Sequence, residues 1–101
     1  MNRQLELQAI LKNIVGSNNV YYQKPPNTQV SYPYVKYDKQ DIHTVKANNN
    51  LYNSIDMYQL VLVGTNPDDQ IKYRLLRLPY CSYDRQYKAD NLYHDVFTLY
   101  F

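Results

Sequence analysis

The residues best suited to chemistry are few and far apart. His43, Cys81 and His94 are the metal-ligating and nucleophilic types, and no pair of them has ligand spacing such as C-x₂-C or H-x₃-H. The reading is therefore no metal and no cofactor. Cys81 would need a nearby base and a depressed pKa to act as a nucleophile. A C-terminal hairpin would bring His94 close enough to serve, but the plainer reading is a small buried thiol. Asp38, Asp41 and Asp56 form a loose acidic group, while Asp68 and Asp69 already have a use at a helix start. With two glycines, the chain cannot build a phosphate-cradling or nucleophile-elbow motif. The expectation is no enzyme and no catalytic residue. One more pattern bears on function. In Tyr34-Val35-Lys36-Tyr37-Asp38-Lys39, aromatic and cationic residues interleave as in single-strand nucleic-acid platforms, but the aspartate weakens the electrostatic case.

Those residues must be carried by a single small domain. A chain of 101 residues buries roughly 60–68% of its unfolded surface, enough for one modest core. A net charge of +2, with its 11 Lys and Arg scattered, is too small for a nucleic-acid footprint. The single cysteine excludes an intrachain disulfide, and no apolar run reaches the length of a membrane span. The start Met1-Asn2-Arg3-Gln4-Leu5-Glu6 lacks a signal-peptide apolar stretch, which points to a reducing cytoplasm. Composition is dominated by 13 Tyr, against 2 Phe and no Trp. Tyrosine buries a ring and keeps a hydroxyl for water or a partner. This usage fits either an AT-rich genome or a chain rich in interface residues.

Periodicity places the elements. Leu7, Ile10, Leu11, Ile14 and Val15 form a helical stripe over residues 3–15, and Gly16 follows where a left-handed C′ residue belongs. Residues 20–29 read as an extended segment running into a Pro-rich loop. Residues 30–38 read as a strand that Pro33 confines to an edge or bulge. A short strand at 41–45 leads to a hairpin tip at Asn48, Asn49 and Asn50. Residues 54–63 form the strongest strand. Ile55, Met57, Gln59, Val61 and Val63 are expected on one face, and Asp56, Tyr58, Leu60 and Leu62 on the other. A helix over 67–78 is expected to be capped by Asn66, with Pro67 in its first position. Strands at 80–87 and 92–101, joined by Lys88-Ala89-Asp90-Asn91, make a hairpin. The alternation of Tyr93, Phe97, Leu99 and Phe101 sets the last strand inside the sheet or at a subunit interface. The fold class is α+β, a mostly antiparallel sheet with two helices packed on one face.

The segment Asn66-Pro67-Asp68-Asp69, a short helix, Leu78-Pro79-Tyr80-Cys81, Tyr83-Asp84-Arg85 and then Ala89 to Phe101 resembles small proteins of the head-to-tail gene region of long-tailed phages. These are tail terminator or tail completion proteins, sometimes labelled minor capsid proteins. The resemblance covers residues 55–101; the first half matches in layout alone. It implies a hexameric homo-oligomeric ring in the virion neck, made in the host cytoplasm. Such a ring caps the tail tube, stops its polymerisation and docks on the head–tail connector protein. The implied partners are the tail tube protein and that connector. DNA would pass through without specific binding, and no membrane is involved. The competing class is a head-closure or neck adaptor protein on the portal side, and a third is a nucleic-acid-binding module. Candidate interface residues are Lys36, Lys39, Asn48, Asn49, Asn50 and Arg85, at expected strand ends and loop tips.

Overall fold

A computed structural model describes residues 3–47 and 50–101, and the side chains of residues 3–40 and 55–101. Helix α1 (Arg3–Val15) buries Leu7 and Leu11 completely and rests Ile14 and Val15 on the same core. Each buried leucine stabilises by about 1.5–3 kcal/mol. Gly16 ends the helix at φ +81°, its N–H bonded to the Lys12 carbonyl at 2.9 Å. That left-handed conformation is the reason for a glycine there.

Five strands follow, β1 (Val20–Tyr22), β2 (Tyr34–Ala47), β3 (Asn50–Gly64), β4 (Cys81–Ala89) and β5 (Leu92–Tyr100), with helix α2 (Gln70–Leu75) between β3 and β4. They make one sheet in the order β1-β2-β3-β5-β4, in which β1 runs parallel to β2 and every other pairing is antiparallel. The sheet is therefore mixed, with one parallel pair at its edge. β5 lies between β3 and β4, the interior place that its alternation implies.

Both faces of the sheet carry a core. On one, α1 and α2 cover Val35, Tyr37, Tyr58, Leu60, Leu62, Phe97 and Leu99. On the other, Tyr34, Val61, Val63 and Val96 form a smaller cluster with Tyr21, Val30 and Leu92. β3 thus splits between the two faces as its alternation requires, and its Leu60–Val63 run is buried on both sides. Gly64 closes the strand, and a Cβ there would lie 3.3 Å from Pro33 Cβ, so a larger residue would require the loop before β2 to give by a few tenths of an ångström.

Three local expectations need correcting. The strand placed at 30–38 begins at Tyr34, after Pro33, whose missing N–H cannot join a ladder; Val30 still packs on the second cluster from the loop. The segment at 41–45 is no separate strand but the continuation of β2, which pairs with β3 from Tyr34↔Val63 to Ala47↔Asn50. The helix placed at 67–78 is the shorter α2, and its cap is Asp69, whose Oδ1 accepts the Ile71 N–H at 2.9 Å. Asn66 instead accepts the Asp68 N–H at 3.0 Å, an Asx turn across Pro67 that delays the helix. Past Leu75 the chain continues in single turns, Arg77 N–H to Arg74 and Leu78 N–H to Leu75, which keep Leu76 and Leu78 on the core.

The β4–β5 loop is the two residues Asp90-Asn91, both at positive φ (52° and 62°). This is the type I′ geometry that matches strand twist. The molecule is elongated, 51 × 23 × 23 Å. Its length comes from the upper part of the β2–β3 hairpin. β1 pairs with β2 only over Val35–Tyr37, and β5 pairs with β3 only up to Met57↔Tyr100. Residues 41–47 and 50–56 therefore stand beyond the five-stranded body as a two-stranded arm.

Candidate interaction surface

At the foot of the arm lies an apolar groove of about 260 Å³, lined among others by Ile10, Ile55, Leu78, Pro79, Tyr80 and Phe101. Small-molecule sites usually occupy about 300–1,000 Å³, so this one is sized for a side chain or two. The Arg3 guanidinium sits 4.1 Å from the Phe101 ring centroid and closes one side. Tyr80 stands at the rim, 76% exposed and at φ +61°. A tyrosine in left-handed backbone is uncommon. Its carbonyl is held by the Tyr100 N–H at 3.1 Å.

Below the groove runs β4, an edge strand whose residues 82–88 are all exposed. It carries Tyr83 and Tyr87 at about 40% exposure (40% and 41%). The Tyr87 ring stacks on His94, centroids 4.7 Å apart and planes 10° apart, with the Arg85 guanidinium 5.8 Å from the Tyr87 ring centroid. A bulge between Tyr83 and Arg85 interrupts the ladder to β5.

Behind that edge sits a buried polar cluster. Asp95 on β5 is 1% exposed and accepts hydrogen bonds from the Tyr83 hydroxyl at 2.9 Å and Gln86 Nε2 at 3.0 Å. Lys72 Nζ of α2 completes it, 3.4 Å from the same carboxylate oxygen. Lys72 and Gln86 both donate to the Pro67 carbonyl at 2.8 Å. The cluster joins the loop before α2, α2 itself, β4 and β5, so its first effect is to fix the helix on the sheet. Desolvation, together with the bond to the Asp95 carboxylate, pushes the Tyr83 phenol up to about 12. Sequence reasoning missed this cluster. Its signal was Asp95 itself, an acid in the same alternate set as Tyr93, Phe97 and Leu99.

The structure separates the candidate interface residues. Lys36 and Lys39 are both on β2, and Arg85 is on β4, three strands away at roughly 4.8 Å per strand. Lys39 pairs with Asp56 at 3.0 Å, and that bond raises its pKa. Asn50 opens β3, while Asn48 and Asn49 lie outside the described residues. The Tyr34–Lys39 segment is not a stacking platform on one face, because Tyr34 and Tyr37 enter opposite cores. Nor does the hairpin bring His94 to Cys81. Cys81 pairs with Leu99 and His94 with Tyr87, at opposite ends of β4. Burial, then the Asp84 charge, pushes the Cys81 thiol up to about 11, away from thiolate chemistry. Among the described residues no group of three His, Cys, Asp or Glu is placed to hold a metal, and no helix is long and apolar enough to cross a membrane.

The tyrosines divide in the same way. Tyr37 and Tyr58 are fully buried, while Tyr32, Tyr73, Tyr80, Tyr83 and Tyr87 are exposed by 40–76%. Composition is thus shared between core and surface, and the surface share gathers partly along β4 and the groove rim. Against known proteins, the chain matches no family model, no curated protein and no solved structure.

Proposed function

We propose that the protein is a structural subunit of a long-tailed phage that assembles as a homo-oligomeric ring at the joint between head and tail. In this reading the ring caps the tail tube, ends its polymerisation and offers a docking face to the head–tail connector. The observation that carries the reading is the resemblance of residues 55–101, which here correspond to β3 from Ile55 on, α2 and the β4–β5 hairpin. Three features support it. The chain combines a body with two cores, an exposed aromatic edge and an arm projecting from one end. Tyrosine and arginine, the types that anchor protein contacts, stand on the exposed edge. The scattered Lys and Arg residues and a net charge of +2 suit a channel that lets DNA pass without gripping it.

The test is a phage with a nonsense mutation in this gene. The reading predicts full heads and separate tails, many with overlong tubes. Heads that leak DNA beside free tails of normal length and normal upper end would transfer the protein to the portal side, as a head-closure or neck adaptor.

A further inference from the structure

Both helices pack on one face of the sheet, and the other face has no helical layer. At the end of that face away from the arm, register sets two rows of side chains side by side across the strands. The first row is Tyr34, Val63, His94 and Tyr87, from β2, β3, β5 and β4. The second is Tyr21, Lys36, Val61, Val96 and Arg85, which adds β1. The valines are the buried centre, and rings and cations stand around them. The loop before β2 adds Lys24, whose Nζ lies 5.9 Å from the Tyr34 ring centroid, and Tyr32, whose ring centroid lies 5.7 Å from that of Tyr34. Tyr32 and Tyr87 are 48% and 41% exposed. Neither row contains an acid. Asp38 lies in the next row, Asp84 at the bulge beside it, bonded to the Thr98 hydroxyl at 2.8 Å, and Asp90 in the turn beyond. Lys24, Lys36 and Arg85 pair with no carboxylate among the described residues.

We propose that this face binds single-stranded nucleic acid, with phosphates held by Lys24, Lys36 and Arg85 and bases laid against Tyr32 and Tyr87. Two properties of the face select that occupant. Cations without carboxylate partners complement a polyanion, and exposed rings among them offer stacking surfaces to bases. Single strands are held by this combination. A duplex keeps its bases stacked inside and cannot use the rings. The tyrosine–lysine pattern of β2 thus serves across strands rather than along one, since Tyr34 and Lys36 share this face while Tyr37 enters the helix-side core. A net charge of +2 conceals the patch, because what matters is where the charges lie. The inference stands apart from the ring reading, which concerns duplex DNA in transit.

The experiment is fluorescence anisotropy of the full chain with a labelled oligothymidylate of about ten bases, across a salt series. Wild type binds with a Kd of about 100 μM or tighter at low salt. Arg85→Gln and Lys36→Gln each lower the slope of log affinity against log salt by about 0.7, the single-strand value for one phosphate contact. Tyr87→Leu and Tyr32→Leu weaken binding about fivefold or more and leave the slope unchanged, because they remove stacking and no charge. Tyr32 lies in a loop, so its variant keeps the test open if loss of the Tyr87 ring disturbs β4. Thermal melts establish that each variant is folded, and Arg77→Gln, an exposed cation past α2, binds as wild type does. Four results would each overturn the proposal: no binding of the oligonucleotide, a slope lowered as much by Arg77→Gln as by Arg85→Gln, folded aromatic variants that bind like wild type, or equal affinity for a duplex or a heparin fragment.

Discussion

The body and the arm are made from the same two strands, and their sequences change where their surroundings change. Within the body, β3 reads Leu60-Val61-Leu62-Val63, every side chain at most 7% exposed, with helices on one face and the Tyr34 cluster on the other. Above Met57 neither β1 nor β5 pairs with the hairpin, and the sequence mixes Asn, Ser, Thr and charged residues with Ile42, Val45, Leu51, Tyr52 and Ile55. Stability belongs to the body, where apolar area is removed from water. The arm holds its place chiefly by the β2–β3 ladder, and is free to serve contacts. Changes in the body should therefore act on folding, and changes in the arm on assembly.

The largest effect separates the two regions outright. Deleting Leu92–Phe101 removes the strand between β3 and β4 together with Phe97 and Leu99, and thermal unfolding should lose its cooperative transition. A truncated chain that melts cooperatively near the full-length midpoint would refute a body built around β5. Next, Phe97→Ala should cost about 3–5 kcal/mol in denaturant titration, since the ring is fully buried on the helix side. Asp95→Ala belongs in the same range, about 3 kcal/mol, because it strips Lys72, Tyr83 and Gln86 of a shared acceptor. A loss below about 1 kcal/mol would mean that water replaces the carboxylate and that the cluster does not fix α2.

A smaller effect tests the cap. Asp69→Ala should cost about 0.5–2 kcal/mol, and Asn66→Ala less, as an Asx turn outside the helix. The reverse order would move the start of α2. Alkaline pH gives a further readout. Tyr83 goes from 10.0 up to about 12 and Cys81 from 9.0 up to about 11 on folding, so the folded chain keeps protons that the unfolded chain releases. Stability should be full below pH about 9 and fall as the pH rises to about 12. Tyr83→Phe combined with Cys81→Ala should reduce that fall, leaving the share of Tyr34, Tyr37 and Tyr58, raised by burial, and of Tyr73, raised by its bond to Asp68; a rise in stability across the window would contradict the assignment.

The body was legible in the sequence because its periodicities are strong. The stripe of α1, the split of β3 and the alternation of β5 all follow from burial on known faces. Local polar chemistry was harder to read. Asn66 and Asp69 are both competent caps three residues apart, and the choice between them turned on Pro67, around which the Asx turn forms. The length of β2 was hidden because its alternation falls out of step at Asp38–Gln40, where a bulge between Lys39 and Asp41 shifts the register, so one strand read as two. The Asp95 cluster needed the third dimension, since Lys72, Gln86 and the Pro67 carbonyl come from three separate segments. Lys36, Lys39 and Arg85 were marked by exposure and chain position, and those criteria cannot tell one side of a sheet from another.

The central claim, a self-assembling subunit that caps the tail, is tested most directly by negative-stain electron microscopy of the purified protein, alone and mixed with purified phage tails. The account predicts closed rings in the first sample and a single ring on the head-proximal end of each tube in the second. Particles that show no ring and leave the tube ends bare, while binding to isolated heads, would contradict it.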